Sequence, residues 1–232
     1  MTRLAAALLG LMVLVFTLSL GAGPAAAASF DCAKARTKVE KLICADPQLS
    51  RQDSELATAY GEALKVWDGK IAAYVKMTQR GWVGSRTLLP PGQDMGGVYC
   101  NDDDSRLSCL RDIHAERIAV LKSPGFRLSG IYARGQDVLA VKVASEGLRA
   151  GFALADPNTT GSATDEAKPV RVAPGQTAVT FPLAGAGPDA CRLDAVFTAD
   201  AVVLTQKGPC SGAKLSGRWT RDQARDPEAE LF

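Results

Sequence analysis

The spacing of hydrophobic residues changes along the chain, and in the first part it is the spacing of helices. Between Thr37 and Leu121 apolar residues recur every three or four positions, which places them on one face of an α-helix. The longest stripe runs from Leu49 to Trp67, and Ser50 is a predicted helix cap, with Asp53 three residues later in the capping-box position. Asp68-Gly69 is predicted to be a turn that reverses the chain. Four helices joined by short turns are expected to form a small antiparallel unit. The spacing predicts these helices over Thr37–Cys44, Ser50–Trp67, Ile71–Trp82 and Leu110–Leu121.

The second period is the alternation typical of β-strands. It begins after Lys122–Gly125, where Pro and Gly mark a boundary. Gly, Pro, Asn and Asp separate short apolar runs, and this spacing favours an antiparallel sandwich or barrel over a parallel sheet. Eight strands are predicted: Phe126–Ala133, Asp137–Ala144, Leu148–Ala155, Val170–Ala173, Thr177–Leu183, Cys191–Thr198, Ala201–Gln206 and Leu215–Thr220.

Together these patterns predict an α+β protein with two domains. A small antiparallel helical domain with disulfides covers residues 29–121, and residues 122–125 form a linker. An antiparallel β-sandwich or barrel domain covers residues 126–222. Residues 223–232 are polar and are expected to form a flexible tail.

The first 28 residues have the composition of an export signal. Met1-Thr2-Arg3 gives a positive start, Leu4–Leu20 is almost wholly apolar, and Ala26-Ala27-Ala28 has the small side chains that signal peptidase accepts. Cleavage is therefore expected before Ser29, and a retained membrane anchor is the alternative. A lipid anchor would need a cysteine beside the cleavage point, whereas Cys32 lies further along the chain. We expect a periplasmic or secreted protein that is not membrane-embedded after signal removal.

All six cysteines lie beyond the predicted cleavage point, where an oxidising compartment favours disulfides. Short loop closure favours local pairs, and the crossed alternatives join Cys32 to Cys100 or to Cys109. Zinc ligation is the competing interpretation, but the chain has no Cys-x-x-Cys and its single histidine is not spaced to join the cysteines. We predict no metal and no cofactor, and three structural disulfides: Cys32–Cys44, Cys100–Cys109 and Cys191–Cys210.

The charge of the chain excludes one class of partner. Removal of residues 1–28 lowers the formal net charge from +2 to +1, and no segment forms a basic stripe, so nucleic acid is not an expected partner. The densest charge cluster is acidic and comprises Asp102, Asp103 and Asp104. A calcium loop would need alternating ligands, a glycine and a distant glutamate, which are missing here. The cluster is either a solvated loop or a contact patch for a cationic partner.

Candidate catalytic groups are few. His114, the only histidine, lies within an apolar helix stripe without a Ser or Cys nucleophile motif nearby, which indicates a structural histidine. No paired-carboxylate, nucleophile-elbow or phosphate-loop motif is present, so we expect no enzymatic activity. Asp53 stands within an apolar stripe, and Arg86 and Arg117 lie on inward faces. Because an isolated buried charge is costly, we predict that Asp53 accepts hydrogen bonds from one of these arginines or from the first turn of its own helix.

Several residues of the helical region match a known family pattern. They are Phe30–Ala35, Glu40–Cys44, Leu49, Asp53, Leu56, Tyr60, Gln79, Trp82, Arg86, Cys109, Leu110, Arg117 and Leu121. Over about residues 29–121 the chain thereby resembles the N-terminal domain of the LprI-type lysozyme inhibitor family. It departs from the family pattern at the long insertion Thr87–Gly97, because in the family a cysteine usually follows soon after the arginine.

The resemblance implies an exported bacterial protein that binds lysozyme and blocks its active-site cleft, without cofactor or catalysis. It also implies structural roles for the family-motif residues, which are Asp53, Tyr60, Gln79, Trp82, Arg86 and Arg117. A rigid loop can occupy the sugar subsites of a glycosidase without any reaction of its own. Thr87–Arg106, with its acidic end, is the first place to expect this contact. The alternative is a structural or envelope-stress module that binds peptidoglycan or another envelope protein.

Overall fold

The computed structural model describes residues 27–90, 99–155, 168–183, 191–208, 210 and 213–226. Apart from Ala27 and Ala28, the predicted export signal lies outside the described residues. Residues 91–98 of the Thr87–Arg106 segment and residues 227–232 of the predicted tail also lie outside them. Within the described ranges, no helix has both the length and the apolar character needed to cross a bilayer.

Helices occupy the first part of the described chain. Glu40 and Thr37 form a capping box at the start of the first helix, in which each side chain accepts a hydrogen bond from the other's backbone N–H. The predicted reversal at Asp68-Gly69 is confirmed, and Trp67 and Asp68 both adopt a left-handed φ of 55° there. The four α-helices are α1 (Lys38–Ala45), α2 (Pro47–Ala63), α3 (Ala72–Ser85) and α4 (Arg106–Lys122).

The predicted helix cap at Ser50 is wrong. Helix α2 begins earlier, at Pro47, and Asp46 caps it by accepting a hydrogen bond from the Leu49 N–H at 2.8 Å. Proline suits the first helical position because the N–H that it lacks would have no helical partner there. Ser50 is instead buried inside the helix, where its hydroxyl donates to the Ile43 carbonyl at 2.7 Å and joins α2 to α1.

Helices α2, α3 and α4 form an up-down-up bundle. Two ion pairs, Arg111–Asp46 and Lys122–Glu55, occur in the same order along α4 and α2, so these helices are parallel neighbours. Helix α3 runs the opposite way, as the order of its hydrogen bonds to α4 shows. The shared core of the bundle contains Leu56, Ala59, Ala63, Ile71, Val75, Ile118 and Leu121.

Among the described residues, seven antiparallel strands form one sheet, ordered β3-β2-β1-β7-β6-β5-β4. The strands are β1 (Gly130–Arg134), β2 (Asp137–Ala144), β3 (Gly147–Ala153), β4 (Ala178–Pro182), β5 (Arg192–Phe197), β6 (Ala201–Lys207) and β7 (Gly217–Asp222). The outer strands approach each other through residues 168–170, because Val170 pairs with Leu148 of β3 and the Lys168 N–H donates to the Pro182 carbonyl of β4 at 3.1 Å. The sheet is therefore a nearly closed barrel, and the described chain is of mixed α+β class.

Two of the eight predicted strands are corrected by the structure. Phe126 lies in a 3₁₀ helix, Pro124–Leu128, which Ser123 caps by accepting a hydrogen bond from the Gly125 N–H at 3.2 Å. Val170 forms only a single bridge to the sheet, so the predicted strand Val170–Ala173 is absent as a strand among the described residues. In both places the apolar residues do pack in the core, but their backbone does not form the continuous hydrogen bonds of a β-strand.

The bundle core and the barrel core touch. Trp67, in the turn after α2, donates from Nε1 to the Arg127 carbonyl at 2.9 Å, and the Arg127 guanidinium carbon lies 4.1 Å from its ring centroid. Tyr74 of α3 contacts the Phe126 ring at a centroid distance of 6.1 Å and the Ser129 hydroxyl at 3.1 Å. The division into two domains with a linker at residues 122–125 stays a prediction.

Arg221 of β7 holds the same junction from the barrel side. Its guanidinium donates to the backbone carbonyls of Ala199 at 2.8 Å and Arg127 at 3.0 Å, and also to that of Ser129. Gly130 leaves room for it, because a Cβ at Gly130 would lie 2.6 Å from Arg221 Nη1 and its φ is +147°. Beyond β7, Gln223 donates to the carbonyl of Lys70 at 3.0 Å, so the predicted flexible tail begins with a residue bound to the bundle.

All six cysteines form disulfides in the structure. The pairs are the local ones: Cys32–Cys44, Cys100–Cys109 and Cys191–Cys210. The first joins the 3₁₀ turn Cys32–Lys34 to the end of α1, the second joins the α3–α4 connection to α4, and the third lies in the barrel core. Three disulfides indicate an extracytoplasmic protein.

Candidate functional site

A cleft of about 580 Å³ runs along α2 and α3. On α2 the lining residues occupy positions i, i+3, i+4 and i+7, so they share one helical face; they are Asp53, Leu56, Ala57 and Tyr60. The segment Ser29–Phe30 and Glu40 of α1 complete the lining. Five of the six family-motif residues meet here, and we call the site the motif cleft; they are Asp53, Tyr60, Gln79, Trp82 and Arg86.

Arg86 forms the rear of the motif cleft. Its guanidinium carbon lies 4.7 Å from the ring centroid of Trp82, a cation–π contact, and its Nη1 donates to Nε2 of His114 at 3.2 Å. Burial lowers the pKa of Arg86, and the negative charges of Asp53 and Glu40 oppose that shift. Because arginine stays protonated in proteins, the cleft has a fixed positive charge at this position.

His114 supports Arg86 from behind. The ring is fully buried, Nδ1 donates to the Leu110 carbonyl at 2.6 Å, and Trp82 packs edge-on against it with centroids 5.1 Å apart. Burial lowers the pKa of His114, which keeps the imidazole neutral and leaves Nε2 as the acceptor for Arg86. The structural role that the sequence indicates for this histidine agrees with these contacts.

Arg117, the sixth family-motif residue, lies beneath the cleft instead of lining it. Its Nε donates to Oε1 of Gln79 at 3.0 Å, and its Nη2 donates to Oγ1 of Thr78 at 3.0 Å. Because the Gln79 oxygen is engaged by Arg117, its amide nitrogen is the atom that remains for a ligand. Arg117 is therefore a positioning residue for Gln79.

The prediction of which groups donate hydrogen bonds to Asp53 is wrong. Neither Arg86, Arg117 nor the first turn of α2 donates to it; Ser29 does, from its backbone N at 2.7 Å and from Oγ at 2.6 Å. The expectation that a buried carboxylate needs donors is met, but the donors come from 24 residues earlier in the chain. Local spacing carries no signal for such a contact.

Glu40 lines the cleft, whereas the sequence analysis identified it only as part of a family motif. Its carboxylate accepts hydrogen bonds from the backbone N–H groups of Thr37 and Arg36, each at 2.8 Å. These hydrogen bonds, above all that from Thr37, lower the pKa of Glu40. A Thr followed three residues later by Glu is the capping-box signature, so the sequence did contain the signal for this local structure.

Lys76 and Arg80 of α3 are cleft residues that sequence reasoning missed. Lys76, Gln79 and Arg80 occupy positions i, i+3 and i+4 of α3, and a polar stripe at that spacing was the available signal. The cleft thus has three cationic side chains, while the Glu40 and Asp53 carboxylates already accept backbone hydrogen bonds. The groups that remain for a ligand in the motif cleft are therefore mainly hydrogen-bond donors and aromatic rings.

The acidic cluster Asp102–Asp104 is not part of the motif cleft. Asp102 forms an ion pair with Lys38 of α1, and Asp103 accepts hydrogen bonds from the backbone N and the hydroxyl of Ser105 at 2.8 and 2.5 Å. The hydrogen bonds from Ser105 lower the pKa of Asp103. Asp104 is exposed. Within the described part of the chain, no group of three His, Cys, Asp or Glu side chains is placed to hold a metal ion.

Comparison with known proteins gives one relationship. No protein-family model matches the chain, and no solved structure matches it. It is similar to proteins named Lipoprotein LprI from Mycobacterium bovis and from two strains of Mycobacterium tuberculosis, each 31% identical over 98 residues. The match covers 42% of this chain and 43% of each relative, so it spans less than half the length of those proteins. The comparison supports an LprI-like relationship.

Proposed function

We propose that this protein is a non-catalytic, extracytoplasmic binding protein that inhibits lysozyme by occupying its active-site cleft. The observation that carries the proposal is the similarity of the chain to LprI over 98 residues, together with the acidic edge Asp102–Asp104 that the disulfide Cys100–Cys109 holds beside α4. Two disulfides hold the surrounding segments, and a rigid surface loses less conformational entropy when it binds.

The geometry of the motif cleft supports binding without catalysis. A glycosidase needs a carboxylic acid with a raised pKa that can donate a proton at neutral pH. Backbone hydrogen bonds lower the pKa of Glu40 and keep it ionised, and Asp53 is engaged by Ser29. His114 is fixed between Leu110 and Arg86, so it is not free to move a proton to or from a ligand.

The proposed contact surface is the acidic edge Asp102–Asp104 at the start of α4. The disulfide Cys100–Cys109 and the bridge between Leu89 and Asn101 hold the backbone on either side of it. Lysozyme has a basic surface, and complementary charge raises the rate of association and selects the partner. Inhibition then requires only that the bound protein cover the sugar subsites in front of the two catalytic carboxyl groups of lysozyme.

The test is bacterial cell-wall lysis by c-type lysozyme in the presence of the full processed chain. We expect the oxidised chain to slow lysis and the reduced chain to do so less. The variant Asp104→Lys should weaken inhibition several-fold at low salt, whereas Asp112→Lys, an exposed position further along α4, should not. Undiminished lysis at micromolar concentrations of the oxidised chain would remove lysozyme inhibition for this enzyme class.

The concave shape of the motif cleft favours a second candidate function, the binding of peptidoglycan or another envelope component. A protein that blocks another protein's cleft needs a projecting element, whereas a cleft receives a smaller ligand. Its aromatic rings and cationic donors, from Phe30, Tyr60, Trp82, Lys76 and Arg80, suit a ligand that combines sugar or apolar surface with carboxylates.

Co-sedimentation with purified sacculi tests this second function. We expect the processed chain to sediment with the sacculi and Arg80→Ala to reduce the bound fraction. Arg218→Ala, which removes an exposed arginine of β7 that does not line the cleft, is the matched control and should bind as the unaltered chain does. A chain that stays in the supernatant would eliminate peptidoglycan as the ligand.

A further inference from the structure

Asp53 has an unusual position for a carboxylate. It lies in the middle of α2 with 7% of its surface exposed, and Ser29 supplies both of the hydrogen bonds that it accepts among the described residues. A buried carboxylate is stable only where donors or a positive charge compensate for lost hydration. Arg86 attracts it across the cleft but does not hydrogen-bond to it. The compensating contacts therefore come from a chain segment that has to be held in place.

Ser29 is also the residue that follows the predicted cleavage point. Hydrolysis by a signal peptidase adds water across the Ala28–Ser29 peptide bond. The carboxylate stays on Ala28 and leaves with the leader, while the nitrogen of Ser29 takes up a proton to become an α-ammonium group. The nitrogen that lies 2.7 Å from Asp53 thus changes from a neutral amide with one hydrogen to a cation with three.

The residues before Ser29 lie against the same helix. The Ala27 carbonyl accepts a hydrogen bond from the hydroxyl of Ser54, and Ala28 packs with Phe30 against the apolar cluster of α1 and the start of α2. Because Ser29 and Phe30 line the motif cleft, a retained leader leaves the fold at the edge of that cleft. Cleavage therefore creates a charge at the edge of the cleft.

We propose that Asp53 is the acceptor site for the α-ammonium group that processing creates at Ser29, so that a partly buried ion pair forms in the wall of the motif cleft only in the processed protein. Arg86 of α3 and His114 of α4 interact electrostatically with Asp53, and the other charged or titratable groups that line the same cleft are Glu40, Tyr60, Lys76 and Arg80. The inference rests on the predicted cleavage and is independent of whether the ligand is lysozyme or peptidoglycan.

The first test is the amino terminus of the exported chain, measured by mass spectrometry of the intact protein and of its first peptide. We expect the processed chain to begin at Ser29. A chain that begins at any other residue, or that keeps its leader, overturns the inference because the α-ammonium group would then be elsewhere.

The second test is a cycle of four processed chains. Two of the chains have the natural Asp53: one begins at Ser29, and the other has one additional Gly before Ser29. The other two chains have the same two amino termini and the substitution Asp53→Asn. The additional Gly returns the Ser29 nitrogen to a neutral amide and moves the charge away. We expect it to lower the melting temperature by about 3 °C or more in the unaltered chain and to have no further effect with Asp53→Asn.

Asp112→Asn gives the matched control for this cycle, because it removes an exposed carboxylate from the same bundle. With Asp112→Asn the additional Gly should have its full effect. An equal decrease in melting temperature with and without the Asp53 carboxylate would overturn the inference.

A third measurement does not depend on the folding of any variant. The α-amine of the processed chain should react with an acetylating reagent at neutral pH at least about tenfold more slowly than that of a synthetic peptide of residues 29–36, because only the unprotonated amine reacts and the ion pair stabilises the protonated form. Mass spectrometry of the first peptide follows the reaction. Equal rates in protein and peptide would show that Asp53 does not hold the group.

Discussion

Arg86 donates a hydrogen bond to the Nε2 atom of His114 at 3.2 Å, and this contact fixes the protonation of the histidine and the direction of the arginine. Because Nδ1 faces the Leu110 carbonyl at 2.6 Å, Nδ1 has the proton and Nε2 has the lone pair. A second proton on His114 would place two donors against each other. The rear of the motif cleft therefore depends on a neutral imidazole.

We expect the protein to lose stability in mild acid because of His114. Burial holds its pKa in the folded chain below the ordinary value of 6.5, so at intermediate pH the unfolded chain binds more protons than the folded chain. By linkage, the free energy of unfolding falls as the pH is lowered through about 6.5. Thermal melting between pH 7.5 and pH 5 should show this decrease, above the range in which the carboxylates titrate.

His114→Gln is the control for that prediction. Its amide can donate to the Leu110 carbonyl and accept from Arg86 but does not titrate. The variant should be less stable at neutral pH and should lose most of the dependence on pH between 7.5 and 5. If its melting temperature falls with pH as steeply as that of the unaltered chain, another group is responsible.

At high pH, buried tyrosines are expected to limit stability. Burial raises the pKa of Tyr74 to about 12, against an ordinary value of 10.0, and burial also raises the pKa of Tyr132. A folded pKa above the unfolded one means that stability is fully present below pH 10 and is lost as the pH rises towards 12. Phenolate absorbance and tryptophan fluorescence, recorded together, should show that the last tyrosines ionise only as the chain unfolds. Complete phenolate formation in a still folded chain would contradict this.

Substitution of the helix cap Asp46 is expected to lower the stability of the protein. Asp46→Ala removes the acceptor for the Leu49 N–H and the ion pair with Arg111, and loss of the cap costs about 1 kcal/mol. Asp46→Asn keeps a capping oxygen and removes only the ion pair, so its loss should be smaller. Urea denaturation of the two variants measures the difference. Equal losses would mean that the ion pair with Arg111, and not the cap, stabilises the start of α2.

Arg221→Met is expected to be the most damaging single substitution in the barrel. It removes the guanidinium donor from the buried carbonyls of Ala199 and Ser129, while the Arg127 carbonyl keeps only its hydrogen bond from Trp67, and the loss should reach about 3 kcal/mol or more. Arg218→Met on the same strand is exposed and should change little. Gly130→Ala probes the same contact independently, because its Cβ would collide with Arg221 Nη1. Urea denaturation compares all three, and a stability unchanged by Arg221→Met would contradict the assignment.

The sequence predicted well wherever a short-range rule decides the structure. The stripe through Leu56 and Tyr60 is a helical face, Asp68-Gly69 is a turn, and the alternation of Val179 and Phe181 with exposed residues is a strand. Short loop closure also favoured the disulfide pairs that the structure contains. Each of these features depends on residues less than about one supersecondary unit apart.

The sequence predicted poorly where two short-range rules compete or where the contact is distant. Ser50 and the Asp46-Pro47 pair both carry helix-start signals, and Asp46 is favoured because Pro47 cannot lie deeper in a helix. The donors to Asp53 come from Ser29, which no periodicity connects with α2. The composition of the motif cleft could not be predicted in full either, because Lys76 and Arg80 become cleft residues only through the packing of α3 against α2.

Trp67 packs against both apolar cores, and its indole N–H donates to the backbone at Arg127. The helical bundle consequently cannot be moved into another protein without further changes. Gene fusion or recombination that moved the bundle alone would uncover the Trp67 ring and the face of Tyr74 that now meets Phe126. A transplanted bundle would need a new cover over that end, or a smaller and more polar residue at Trp67, before it could remain monomeric in water.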